Sequence, residues 1–150
     1  MKIYVSVVVP VKKINDLIRN ELISALKQQT IQTPELIIVP DRITKKENFP
    51  PFVKVIPSWP KTGPAEKRDL GVRYARGTII AFIDDDAYPD KDWLKNAIAY
   101  FKNPKIAAVC GPGITPPNNN LRQRVSGWVW SSWLGAGGAV PTGAIKVKSE

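Results

Sequence analysis

The apolar positions of this chain fall into short β-branched runs separated by stretches with helical spacing. Ile3 to Val9 is one such run, closed by Pro10, and reads as a buried strand. From Asn15 to Gln29 the apolar residues Leu17, Ile18, Leu22, Ile23, Ala25 and Leu26 recur with the period of an amphipathic helix. Glu35 to Val39 is a second strand, ended by Pro40 and Asp41, and Val53 to Ile56 a third after a polar, proline-containing connection. Gly63 and Pro64 open a helix over Ala65 to Arg76, with Gly77 just past its end, the usual placing of Pro and Gly at helix termini. Thr78 to Ile83 follows as a buried strand, Asp90 to Phe101 as a helix and Ile106 to Cys110 as another strand. The order β-α-β-β-α-β-α-β predicts an α/β fold: an open, mostly parallel sheet with helices on both faces, whose ligands lie beyond the carboxyl ends of the strands. After Gly111 turn residues dominate, a helix is expected over Leu121 to Trp133, and the Gly-rich tail reads as a fold incomplete at its C-terminus.

Composition narrows the chemistry. At 150 residues, 43% hydrophobic and 23% charged, the chain is expected to form one globular domain over 1–150 with a core of its own. Its net charge of +9 suits an anionic partner such as nucleic acid, an acidic lipid surface or a phosphorylated small molecule. Nucleic acid is not expected, because the aromatic residues are not interleaved with the Lys-rich stretches. One cysteine, Cys110, and no histidine exclude a disulfide framework, a Cys/His zinc site and a histidine base. Any chemistry falls to carboxylates, Lys, Arg or Tyr.

The opening MKIYVSVVVP has no small-residue cleavage site and is not read as a signal peptide, so a cytoplasmic location is expected. The uncharged stretch from Val125 to Ile145 is too rich in Gly, Ser and Pro to read as a membrane span. It carries Trp128, Trp130 and Trp133, which suit a packed helix or, in the alternative, a peripheral contact with the inner face of a membrane.

The acidic run Asp84-Asp85-Asp86 stands directly behind an apolar strand. Adjacent carboxylates repel, and leaving a low-dielectric strand end they need a cation to meet them. If the chain stays extended there, Asp84 and Asp86 face one side and Asp85 the other, an oxygen site suited to Mg²⁺ or Mn²⁺ that completes its shell with water and phosphate. Helix capping is the plainer role of acids in such a place, and Asp90 or Asp92 is placed to cap the helix that follows. Lys67 and Arg68, near the start of the helix opened by Gly63, could answer the carboxylates or a diphosphate.

In order along the chain stand Pro10 after the first strand, Asp41 after the second, Gly63-Pro-Ala-Glu-Lys-Arg-Asp-Leu-Gly71 with Ala75-Arg-Gly77, then Phe82-Ile-Asp-Asp-Asp86 with Pro89 and Trp93-Leu94. Together they resemble the inverting family 2 glycosyltransferases, over Val5 to about Gly138. The resemblance implies a GT-A-type, Rossmann-like domain that binds a UDP-, GDP- or dTDP-sugar. It also implies transfer of the sugar with inversion to a glycan or lipid-linked acceptor in polysaccharide, glycolipid or cell-surface glycan synthesis. By the same resemblance Pro10 and Val11 lie against the nucleotide base, Asp41 hydrogen-bonds it, and the helix start from Gly63 through Lys67 and Arg68 lies beside the nucleotide. Asp84, with Asp85 next to it, faces the nucleoside. Asp86 holds the Mn²⁺ or Mg²⁺ that bridges the diphosphate as Lewis acid and template.

The chain departs from the family pattern where Lys12 and Lys13 replace an aromatic residue and an Asn, and where Pro40 replaces an Asp. The catalytic base and the acceptor half are expected beyond Glu150, which makes this chain the nucleotide-sugar-binding half. The alternative from another class is a nucleotide-sugar-binding module without turnover of its own. A haloacid-dehalogenase-like phosphatase, with Asp84 as nucleophile and Asp86 as acid/base, needs its Asp-x-Asp on the first strand. Here roughly eighty residues of α/β pattern precede it.

Overall fold

The computed structural model describes residues 5–32, 34–43, 47–60 and 62–111, together with positions 121, 122, 125 and 129. The chain divides into two compact units, Met1–Asn96 and Ala97–Glu150. The first is built on a four-stranded sheet of β1 (Val5–Pro10), β2 (Glu35–Val39), β3 (Val53–Val55) and β4 (Ile79–Phe82), in the order β3-β2-β1-β4. Every pairing is parallel, and the register sets Pro10 against Val39 and Val8 against Phe82, which brings the carboxyl ends of the strands to one edge.

β1 and β2 are buried along their whole length, as continuous β-branched runs require in a parallel sheet covered on both faces. On one face Val8, Ile37 and Val39 pack with Ile56, Leu70, Ala75 and Ile80. Side chains of alternate parity, Val7, Val9, Leu36 and Ile38, are equally inaccessible. A π-helical turn over Ile18–Leu22 continues into α1 (Ile23–Lys27) and buries Ile18, Leu22 and Leu26 at successive i, i+4 positions, whereas Leu17 points to solvent.

Two glycines set how closely the elements approach. α2 (Pro64–Tyr74) has its proline in the first turn and lies so near β1 that a Cβ on Gly71 would collide with the side chain of Val8. A Cβ on Gly77 would stand 2.5 Å from Ser6 N and 2.7 Å from Val5 C, so only glycine lets the chain enter β4 alongside β1. The amino ends of β1 and β2 are joined by Glu35, which is 2% exposed. Its carboxylate accepts from Ser6 Oγ (2.7 Å), Arg76 N (3.0 Å) and Arg76 Nε (3.1 Å), and lies 2.7 Å from Lys54 Nζ. Burial pushes this carboxyl up, but the hydrogen bonds from Lys54, Ser6 and the Arg76 amide, with the Lys54 charge, outweigh it and hold the pKa at about 2.

Three expectations differ from the structure. β4 is half-buried and Phe82 is exposed, because among the described residues β4 has a neighbour on one side only. Ile106 to Cys110 forms no strand, and all but Ile106 of that run is exposed; an apolar run becomes a strand only where another ladder takes its amides, and none of the described strands does. α3 (Trp93–Tyr100) begins later than Asp90, because Asp90 itself makes the capping turn: the Asp92 amide donates to its Oδ1 (2.9 Å) and the Trp93 amide to its carbonyl (3.0 Å).

In the second unit the amides of Phe101, Asn103 and Ile106 donate to the carbonyls of Ile98, Tyr100 and Asn103, so successive turns follow the helix. Of the expected helix over Leu121 to Trp133, positions 121, 122, 125 and 129 are helical; Trp128, Trp130 and Trp133 lie outside the described residues. Among the described residues no helix is long and apolar enough to cross a membrane.

Candidate functional site

β1 and β2 stay side by side beyond their ends: the Val11 amide donates to Val39 O (3.1 Å) and the Asp41 amide to Lys12 O (3.3 Å). Pro10 and Val11 are buried there, and Asp41 stands at the rim. The first turn of α2 reaches this rim. Gly63 precedes Pro64, which needs no amide donor, and the Lys67 amide closes the turn on Gly63 O (3.2 Å). Lys67 therefore points inward. It is 4% exposed, its Nζ donates to Val11 O over 2.6 Å, and the same Nζ lies 2.5 Å from Asp41 Oδ1. A buried ammonium is tolerable only when paired in this way.

The next residue on α2 turns toward the acids. Arg68 Nη2 donates to Asp84 Oδ1 over 2.9 Å. With Asp84 67% exposed this pair contributes little to stability, and its interest is positional. The chain does not stay extended past β4. The Ile83 amide still donates to Val8 O (3.3 Å), but the Ala87 amide folds back on Asp84 O (3.2 Å), so Asp85 and Asp86 lie in a turn and strict alternation of the three carboxylates is lost. Asp85 is half-buried and accepts from Asn15 Nδ2 over 2.9 Å, while Asp86 is exposed. Of the two acids placed to cap the helix, Asp90 takes that role, while the Asp92 side chain accepts from Thr30 Oγ1 (2.6 Å) instead.

The structure thus gathers Pro10, Val11, Asp41, Gly63, Lys67, Arg68, Asp84, Asp85 and Asp86 at or beside the carboxyl edge of one sheet. Two residues were missed by sequence reasoning. Asn15 both caps the first helix, through its Oδ1 accepting from Ile18 N (2.9 Å), and holds Asp85. Gln29 docks the end of that helix on the start of α3, donating to Asp90 O (2.8 Å) and accepting from Leu94 N (3.1 Å). The capping role of Asn15 had a signal, an Asn at the start of an apolar helical period. Its second partner had none.

The residues fit a divalent metal of the hard type. Asp84 and Asp86 are exposed carboxylates at an open edge, and Mg²⁺ or Mn²⁺ commonly takes one or two carboxylates and fills its other positions with water and phosphate oxygens. Among the described residues no group of three or more His, Cys, Asp or Glu side chains forms a cage of its own.

The four-stranded parallel sheet with its helices has the α/β, GT-A-like fold of its structural neighbours. The sequence pattern of Glycosyl transferase family 2 matches residues 6–142, and the chain belongs to that family. A relative from Haemophilus influenzae described as an uncharacterized glycosyltransferase is 36% identical over 69 residues, which cover 43% of this chain and 24% of the relative. Among solved structures, residues 1–349 of S. aureus TarS superpose with a TM-score of 0.57 at 23% identity, covering 75% of this chain and 39% of that one. The same TarS segment in complex with UDP-GlcNAc gives a TM-score of 0.59 at 25% identity, covering 76% and 37%. The chain therefore spans about a quarter of the curated relative and less than two-fifths of the TarS segment.

Proposed function

We propose that this chain binds a nucleotide-diphospho-sugar at the edge formed by β1, β2, α2 and the acidic turn. It serves as the donor half of a glycosyltransferase that transfers the sugar with inversion to a glycan or lipid-linked acceptor. The observation that carries the reading is that two consecutive residues of α2, Lys67 and Arg68, join Asp41 on one side and Asp84 on the other. A rim carboxylate suited to a base and an acidic turn suited to a metal diphosphate are thereby set on either side of one helix start. Support for the donor class comes from family membership and from the UDP-GlcNAc complex of TarS.

In this reading Asp41 accepts from the nucleobase, and the loop at Pro10 and Val11 lies against it. Asp86, with Asp84, would hold Mn²⁺ or Mg²⁺. When bound, the metal offsets the charge that builds on the departing diphosphate. Arg68, which donates to Asp84 in the same turn, is a guanidinium suited to a phosphate oxygen of the donor. The second reading, nucleotide-sugar binding without turnover of its own, draws on the 24% share of the curated relative that the chain spans.

Calorimetry of the chain with UDP-GlcNAc, in Mn²⁺ and again in chelator, tests the proposal. Binding in metal that is lost in chelator is expected; equal affinity in both removes the metal role, and no binding in either overturns the reading. A transfer assay on this chain separates enzyme from binding module.

A further inference from the structure

We propose that the chain ends beyond β1, β2 and β3 form a membrane-contact surface, on which Lys12, Lys13 and Arg42 meet anionic lipid headgroups while Trp59 and Ile43 enter the headgroup layer. The surface is read from these exposed residues alone. Its consequence, that the donor edge then faces a lipid-linked acceptor, rests on the donor-binding reading above.

Backbone hydrogen bonds lace the three strand ends together. The Asp41 amide donates to Lys12 O (3.3 Å) and the Ser58 amide to Pro40 O (2.8 Å), so the five residues leave neighbouring chain ends. All five are exposed, Trp59 by 70% and Ile43 by 52%. Ser58, just before Trp59, is buried and tied to the end of β2, so the indole is carried on a fixed stretch of backbone. Among the described residues none of the three cations makes an ion pair, whereas Lys67 and Arg68 on the adjoining helix do. Within 10–13, 40–43 and 56–60 the sole acid is Asp41, whose side chain is 14% exposed and paired with Lys67. The surface therefore presents three positive charges and two apolar side chains with no exposed carboxylate among them.

That combination matches the boundary between lipid headgroups and acyl chains. An indole has an apolar ring and one N–H and settles where one side is apolar and the other wet, while Lys and Arg bury their stems and keep their charges in water. An anionic surface attracts each nearby cation, for about a fivefold gain in affinity apiece. The net charge of +9 adds a general attraction, but charge alone gives no insertion, for which Trp59 and Ile43 are needed. A single-stranded nucleic acid fits less well, since one indole offers no succession of stacking platforms. Because Asp41 stands among these strand ends, a protein seated on this surface turns the donor edge toward the bilayer.

The test is co-sedimentation of the full chain with vesicles of phosphatidylcholine containing phosphatidylglycerol, and with phosphatidylcholine alone, at low and high salt. Wild type is expected to bind the anionic vesicles at low salt, to release them as salt screens the charges, and to ignore the neutral ones. Lys12→Gln combined with Lys13→Gln should lower the affinity by about twentyfold and Trp59→Ala by about tenfold, both with unchanged thermal melts because the side chains are exposed. Acyl-brominated lipid should quench an emission component that Trp59→Phe lacks, which keeps the test open where Trp59→Ala does not fold. Calorimetry with UDP-GlcNAc on the same variants should match wild type, so that membrane contact and donor binding are told apart. No binding of wild type to anionic vesicles at low salt overturns the inference and leaves the donor-binding reading standing. So does binding that the lysine variants weaken and Trp59→Ala does not, the mark of charge attraction without insertion. Binding lost only when Trp128 and Trp130 become Ala sets the contact on another part of the chain and overturns it as well.

Discussion

Asn15 Nδ2 donates to Asp85 Oδ2 over 2.9 Å while Asn15 Oδ1 accepts the Ile18 amide over 2.9 Å, so one side chain both starts the first helix and holds the middle acid of the acidic turn. The residues lie 70 positions apart in sequence. The relationship makes the shape of the turn depend on where the first helix begins.

The two roles of Asn15 can be separated by substitution. Asn15→Ala should cost about 1 kcal/mol of stability through the lost cap and should also weaken metal-dependent nucleotide binding. Asn15→Asp keeps a capping oxygen but sets a carboxylate against Asp85, so it should lose affinity with a smaller loss of stability. Urea denaturation and calorimetry measure the two effects, and wild-type affinity in both variants would show that the tether to Asp85 is irrelevant to binding.

Asp86 and Asp41 are expected to fail in different ways. Asp86→Asn should abolish the metal-dependent part of nucleotide binding. Asp41→Ala should weaken binding of the nucleoside with or without metal, by about 1–3 kcal/mol for a lost buried hydrogen bond. If titrations of both variants overlay those of wild type, the site lies elsewhere.

Acid sensitivity should centre on Glu35. Its folded pKa of about 2 lies below the ordinary 4.5, so the group is bound less tightly by protons in the folded protein. Its stabilising contribution is complete above the unfolded value and is lost as pH falls through the folded one. The difference corresponds to an effect on the order of 3 kcal/mol. Thermal melts taken from pH 5 to pH 2 should therefore show a steep decline in wild type and a shallower one in Glu35→Gln, which is less stable at neutral pH; parallel declines would place the acid-sensitive group elsewhere.

Close approach of α2 to β1 gives a steric test. Gly71→Ala should destabilise by about 1–3 kcal/mol, the usual range for overpacking, because the added methyl meets the Val8 side chain. Trimming the obstacle should recover part of this: Gly71→Ala with Val8→Ala is expected to be less destabilised than the sum of the single variants. Strict additivity by chemical denaturation would mean that α2 shifts away as a body.

The sequence alone determined the features that depend on local periodicity and turn chemistry. The β-branched runs of β1 and β2 announced buried parallel strands, Gly63-Pro64 marked the start of α2, and three acids behind an apolar strand marked the edge proposed to bind the donor. Each follows from residues within a few positions of one another. Tertiary structure alone decided who meets whom across that edge: Lys67 with Asp41 and Val11, Arg68 with Asp84, and Asn15 with Asp85. It also decided that β4 is half-exposed and that Ile106 to Cys110 is no strand, since burial and ladder pairing belong to neighbours and not to the run itself. Period reports which face of an element is apolar; strand register and helix placement, set by packing such as Gly71 against Val8, decide which charged side chain reaches which.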